Sequence, residues 1–295
     1  MKNTQGAFAE RMARYVAAVE AAARAAFPEN EHGLREPMRY SLLAGGKRLR
    51  PVLVMAFAEH FGAPAEDAGA YALAIEMLHT YTLIHDDLPA MDNDTLRRGK
   101  PTCHAAFGEW QAILAGDALQ AESFAAAAAA ENMTAGQTRR AIASLAEAAS
   151  GVCVGQYMDL QNESGGGRTF PPDVVATLKT CALFSCACQL GTIAATPDYN
   201  ELAEEAARAF GYLLGMAFQI QDDILNAVGD EKTLGKNAGT DGERGKLNFV
   251  TVFGLAKAQE LADAEFRELE LLVAENLGND AFLSDLCGNL RGRRT

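Results

Sequence analysis

The sequence predicts an all-α protein. Alanine, leucine and glutamate dominate, β-branched residues seldom alternate with polar ones, and two Asp-Asp pairs each close an apolar run of helical length. Residues 6–27 carry an amphipathic pattern that ends near Pro28. A short helix is expected over 34–43, stopped by Gly45-Gly46, and Pro51 opens another that runs to Phe61 before Gly62. From Ala65 to Asp87 the pattern is apolar and helical until Pro89 disturbs it. Long helices follow at 105–130 and 134–160, and the Gly165-Gly166-Gly167 loop separates them from a helix opened by Pro171-Pro172 that runs to Thr196. Residues 199–228 form the second Asp-bearing helix, 229–245 a Gly-rich loop, and helices at 247–277 and 280–290 complete the chain.

A length of 295 residues admits one or two domains. Nothing reads as an interdomain linker or a short repeat, so residues 1–295 are expected to form a single large helical domain. Hydrophobic residues make up 49% of the chain, which excludes a disordered polymer. The formal net charge of −13 argues against a nucleic-acid partner. No apolar run is expected to reach the ~18 residues of a membrane span. The start, Met1-Lys2-Asn3-Thr4, has no signal-peptide core, and a cytoplasmic location is expected. Six cysteines without a Cys-x-x-Cys pair read as buried free thiols.

The chemistry concentrates in Leu83-Ile84-His85-Asp86-Asp87-Leu88-Pro89-Ala90-Met91-Asp92-Asn93-Asp94. Four carboxylates within nine residues repel one another unless a cation joins them. Oxygen-only ligands favour Mg²⁺ over Zn²⁺. Arg97 and Arg98 follow at once, and guanidinium matches phosphate oxygens bidentately. A metal site beside a phosphate site reads as Mg²⁺–diphosphate. Asp222-Asp223 closes a second apolar helix, with Gln219 one turn before and Asn226 at i+4 from Asp222. Gly45-Gly46-Lys47-Arg48-Leu49-Arg50-Pro51 sets three cations on a flexible turn near a helix N-terminus, where backbone N–H groups also favour phosphate. His79, Thr82 and Asp86 share one helical face. Each feature has an ordinary alternative: a solvated acidic turn, an exposed basic turn, an interfacial histidine. Their combination favours the diphosphate reading. The loop Gly235-Lys236-Asn237 is no P-loop, because Asn follows the Lys where Ser or Thr is required.

Asp86-Asp87-(x)4-Asp92 with Arg97-Arg98-Gly99-Lys100-Pro101-Thr102 and Asp222-Asp223 resembles the trans-isoprenyl diphosphate synthases, and most closely the bacterial enzymes that make farnesyl diphosphate. The likeness runs from about residue 34 to about 255. It implies a helical bundle of the isoprenoid synthase type with a central active-site cavity. The implied activity is a Mg²⁺-dependent, homodimeric prenyltransferase joining isopentenyl diphosphate to dimethylallyl and geranyl diphosphates. By position, the resemblance makes Asp86, Asp87 and Asp92 the first aspartate motif, with Asp86, Asp92 and Asp222 as metal ligands and Asp223 beside them. Arg97, Lys179, Lys236 and Lys246 would hold the allylic diphosphate; Gly46, Lys47, Arg50, His79 and Arg98 would hold isopentenyl diphosphate. Thr180 and Gln219 would stabilise the carbocation, and Tyr81 with Thr82 would set product length. Asp241 and the segment Gly155-Gln156 with Asp159 match further family positions. The chain departs from the pattern at Asn226, Cys181, Asn248-Phe249 and in its C-terminal residues. A geranylgeranyl or geranyl diphosphate synthase, a class I terpene cyclase and a non-catalytic partner subunit are the rival readings.

Overall fold

A computed structural model describes residues 2–29, 32–165, 167–228 and 246–293. Lys236 and Asp241 lie outside the described residues. Contacts divide the chain into two compact units, Met1–Leu145 with Gln189–Asn200, and Ala146–Cys188 with Glu201–Thr295. The all-α expectation is met: the described residues form helices apart from one two-stranded ribbon.

The first unit holds α1 (Lys2–Ala26), α2 (Arg35–Leu42), α3 (Leu49–His60), α4 (Gly69–Asp86), α5 (Cys103–Phe107) and α6 (Glu109–Ala128), with the start of α7 (Ala135–Ser164). A helix that is apolar on every side belongs in a core. α4 is such a helix: Tyr71 to Leu78, Thr80 to Thr82 and Ile84 are buried, against α3 and α6. Gly116 of α6 lets the His85 ring in, since a Cβ there would come within 2.2 Å of His85 Nε2. His85 Nε2 then meets the Ile113 carbonyl at 3.0 Å. The end of α4, where the first Asp pair stands, is thereby fixed to α6.

Two features of the first unit differ from the expected elements. The ribbon β1 (Leu96–Arg97) and β2 (Lys100–Pro101) is antiparallel and turns through Arg98 (φ 53°) and Gly99 (φ 74°). Two successive positive φ values match the twist of a tight hairpin. The helix expected over 105–130 is broken into α5 and α6 at Gly108 (φ 106°), a conformation outside the right-handed helix.

The second unit contains the rest of α7, α8 (Pro172–Ala176), a π-helical turn (Thr177–Cys181), the first half of α9 (Ala182–Ala195), α10 (Glu201–Val228), α11 (Phe249–Phe253), α12 (Leu255–Asn276) and α13 (Ala281–Arg291). Gly254 (φ 82°) divides the helix expected over 247–277 into α11 and α12. Gly211 and Gly215 bring α10 against backbone: a Cβ would lie 2.4 Å from Ser185 Cα and 2.8 Å from Cys181 Cα. Cys181, Met216, Ile220, Phe249 and Ala258 form the core there. Contrary to the expectation that no apolar run is long enough, Pro172–Ala195 has the length and composition of a membrane span. It is mostly buried by the fold, and Lys179 within it is ion-paired, so it is a core helix. All six cysteines are free and all but Cys153 are buried.

Candidate active site

In the first unit, α4 ends on Asp86, and the Asp92 N–H donates to the Asp86 carbonyl at 2.8 Å, closing the Asp-rich turn. Asp86 and Asp92 are half-buried. Asp87 faces inward and is 2% exposed. Arg97 on the ribbon donates through Nε to both its carboxylate oxygens at 2.9 Å and through Nη2 at 2.6 Å. Burial pushes the Asp87 carboxyl above its ordinary pKa, and Asp94 and Asp92 add to this against the pull of Arg97. Arg97 thus anchors the ribbon to the Asp turn.

The hairpin turn aims Arg98 at the Gly45-Gly46 turn, where its Nη1 donates to the Gly45 carbonyl. A Cβ on Gly46 would meet the Arg98 guanidinium at 2.5 Å, so only glycine admits this packing. Lys47 is exposed beside it. Arg50 Nη1 lies 3.2 Å from His79 Nε2; the guanidinium can only donate, so Nε2 accepts and carries no proton. Burial, then the charges of Arg50, Arg98, Arg97 and Arg48, hold the His79 pKa well below its ordinary value. A neutral imidazole touching the Arg50 guanidinium, with further positive charge from Arg98, lies in a region suited to an anion. Of the three cations in the turn, Arg48 points inward: it is 4% exposed and binds Glu76 at 2.5 Å and Glu20 at 2.9 Å. A small cavity next to these groups is lined by Tyr40, Thr80, Ile84, Asp87, Arg97 and Arg98. Tyr81 is buried, its ring edge-on to His85 with centroids 5.8 Å apart, and the Thr82 hydroxyl donates to the His79 carbonyl at 2.7 Å.

The second unit repeats the logic of the Asp pair. Asp223 is 5% exposed and fully engaged: Oδ1 accepts from Gln219 Nε2 and Oδ2 from the Phe249 N–H, both at 2.9 Å. Gln219 Oε1 in turn accepts from the Thr180 hydroxyl at 2.7 Å. This chain brings Thr180, Gln219 and Asp223 together and ties α10 to the N-terminus of α11, which Asn248 and Thr251 cap reciprocally. Asp222 is half-buried and turned the other way. Arg293 donates to its Oδ1 at 2.5 Å while stacking 4.7 Å above the Phe218 ring. Asn226 is buried, and no hydrogen bond reaches its Oδ1.

Lys179 rises from the π-helical turn to Asp159 on α7, Nζ to Oδ2 2.5 Å. Lys246 Nζ lies 3.8 Å from the same oxygen and 3.3 Å from Glu163. In the sequence, Asp159 has a family match without a role, and neither Glu163 nor Arg293 is singled out. The i, i+4 spacing of Asp159 and Glu163 was the readable signal.

Metal fit follows from the donors. Among the described residues no three His, Cys, Asp or Glu side chains form a group that could hold a metal. Asp86 and Asp92 offer hard oxygens from one closed turn, and the Arg293 guanidinium already occupies Asp222 as a cation. Such donors suit Mg²⁺, which takes one or two carboxylates and fills its shell with water and phosphate oxygens.

The family described as polyprenyl synthetase matches residues 31–275. The Escherichia coli farnesyl diphosphate synthase is 43% identical over 83% of this chain and 85% of its own length. The crystal structure of geranyltranstransferase from Thermotoga maritima superposes with a TM-score of 0.78 at 31% identity, covering 96% of this chain and 99% of that one. A geranyltransferase from Helicobacter pylori, complexed with magnesium and isoprenyl diphosphate, gives a TM-score of 0.79 at 28% identity over 96% of each chain. With an Asp pair on each of two helices and a family match over residues 31–275, the chain belongs to the polyprenyl synthetase family of all-α prenyltransferases.

Proposed function

We propose that the chain condenses isopentenyl diphosphate with dimethylallyl and then geranyl diphosphate to give farnesyl diphosphate, with Mg²⁺ as cofactor. The observation that carries this reading is the twofold use of an Asp pair: Asp86 and Asp222 face outward while Asp87 and Asp223 are held from within. Asp86, Asp92 and Asp222 would hold Mg²⁺, which when bound supplies charge neutralisation to the departing diphosphate. Lys179 and Lys246, with Lys236 and the free edge of Arg97, hold the allylic diphosphate. Gly46, Lys47, Arg50, Arg98 and neutral His79 hold isopentenyl diphosphate. As the allylic C–O bond breaks, the Thr180–Gln219 pair presents oxygen dipoles to the carbocation. The isopentenyl double bond attacks it, and the released diphosphate takes the proton. Buried apolar side chains such as Tyr81 keep water from the cation and stop growth at fifteen carbons.

The family match spans both compact units, which supports reading them as one functional domain. Trp110, Ile113 and Leu114, exposed on one face of α6, support a homodimer. Six unpaired cysteines and charged small-molecule substrates support a cytoplasmic enzyme. A terpene cyclase has no use for the Arg98 cation beside Gly46 or the Arg50 cation beside His79, and a non-catalytic subunit would not need an intact Asp86–Asp92 motif. The test is incubation of the purified protein with isopentenyl diphosphate, dimethylallyl diphosphate and Mg²⁺. Farnesyl diphosphate is expected; a twenty-carbon product would reassign the chain to geranylgeranyl synthesis, and no prenyl product would overturn the reading.

A further inference from the structure

The second unit holds a charge cluster that the proposed chemistry uses only in part. Its base is α7. Gly155 lies directly under the π-helical turn, where a Cβ would stand 2.4 Å from the Lys179 nitrogen and 2.8 Å from its Cα. This close approach delivers Lys179 to Asp159, one turn along the same helix, at 2.5 Å. Lys246, from a segment distant in sequence, reaches the same carboxylate oxygen at 3.8 Å and Glu163, one further turn on, at 3.3 Å. Asp159 is 8% exposed. Burial raises its pKa, but Lys179 and then Lys246 outweigh burial and hold it below the usual carboxylate range, so it is charged at neutral pH. Gln156, one turn earlier, is also 8% exposed, and neither atom of its amide has a hydrogen bond. A buried amide left unsatisfied is destabilising, and a polar guest would satisfy it.

Two ammonium groups repel, and each sits on a four-carbon stem with many rotamers. A carboxylate shared between them sets both the spacing and the direction of the pair. An ammonium has three donors, so Lys179 can keep its bond to Asp159 while offering the others to a phosphate oxygen. We propose that Asp159, backed by Glu163, is a positioning residue that presents Lys179 and Lys246 as a preformed clamp for the allylic diphosphate. The inference rests on the prenyltransferase reading for the identity of that ligand.

The test is steady-state kinetics of Asp159→Asn and Asp159→Glu, with each diphosphate substrate varied in turn. Asp159→Asn is expected to raise KM for dimethylallyl diphosphate about tenfold, the weight of one charge-assisted hydrogen bond. KM for isopentenyl diphosphate should stay within about twofold, and Asp159→Glu, which keeps the charge, should fall between wild type and the Asn variant. A double-mutant cycle with Lys179→Ala supplies the readout that a merely structural role would not move. If Asp159 acts through the lysines, its loss costs less in the Lys179→Ala background than in wild type, because only the share it exerts through Lys246 remains. Additive losses, equal rises in both KM values, or a lower allylic KM in Asp159→Asn would each overturn the proposal. Should Asp159→Asn fail to fold, Asp159→Glu and Glu163→Gln carry the same comparison, with the allylic KM alone expected to rise. Calorimetry with inorganic diphosphate separates the two readings: wild type that forms no prenyl product but loses diphosphate affinity on Asp159→Asn loses the proposed reaction and keeps the clamp.

Discussion

At the scale of single residues, the two members of each Asp pair have divided their work. Asp86 faces outward, so Asp86→Ala is expected to abolish condensation, with turnover assayed at saturating Mg²⁺, while the unfolding midpoint stays close to wild type. Asp87 holds Arg97 from a buried position, and breaking such a pair leaves a charge uncompensated. Asp87→Ala should therefore lose about 3 kcal/mol of stability, read by urea unfolding. The sequence showed both Asp pairs, but which carboxylate turns inward depends on Arg97, Gln219 and the Phe249 N–H. None of these is a neighbour in helical spacing except Gln219. His79 gives a pH dependence of defined sign. Its pKa is depressed in the folded protein, so the unfolded chain binds the proton first, near pH 6.5. The contribution of His79 is thus fully present above that pH and lost as pH falls below it. Urea midpoints measured at pH 7.5 and 5.5 should differ more in wild type than in His79→Gln.

At the scale of elements, helix propensity located nearly every helix, because alanine and leucine leave little competing signal. It failed where a glycine lies within an apolar run. Gly108 and Gly254 have the composition of their surroundings, and only their positive φ ends one helix and begins the next. The ribbon of β1 and β2 escaped notice because two residues per strand carry no period. It nevertheless supplies Arg97 and Arg98. Close helix contacts are equally hidden in sequence and equally sharp in effect. Gly155→Ala would drive a methyl group into the backbone of the π-helical turn, which cannot swing aside as a side chain does. A loss of about 2–3 kcal/mol is expected by thermal unfolding, with Lys179 displaced from Asp159. On α4, Tyr81→Ala should open space five residues before Asp86 and give products of twenty carbons or more by chromatography of the prenyl chains. Retention of farnesyl diphosphate as sole product at wild-type rate would show that Tyr81 does not set product length.

At the scale of the whole molecule, a net charge of −13 coexists with the sites proposed to hold diphosphates. The cations are outnumbered but grouped: Arg50 touches the His79 imidazole, on which the charges of Arg98, Arg97 and Arg48 also act, and Lys179 and Lys246 share one carboxylate in the second unit. Arg48 is a caution against reading such groups from sequence alone. Its partners Glu20 and Glu76 lie 28 residues away on either side, and its bonds to them turn an apparent ligand cation into an internal strut. Asn226 belongs to this scale as well, because it removes one charge from the second acidic group. Asn226→Asp should lower the Mg²⁺ concentration that gives half-maximal activity, measured by titration at fixed substrate.

The contact of Arg293 with Asp222 gives the segment after α13 a role as resident counter-ion. With the guanidinium in place, the acidic end of α10 is neutralised before any metal arrives. If Asp222 holds a divalent ion as proposed, its entry would be an exchange in which one cation leaves as another binds. Arg293→Ala should therefore bind Mg²⁺ more tightly than wild type by calorimetry in the absence of substrate. In wild type, added Mg²⁺ should quicken proteolytic trimming beyond α13, a change absent from Asp222→Asn. The backbone past residue 291 would thus report the ionic state of a carboxylate some seventy positions earlier in the chain.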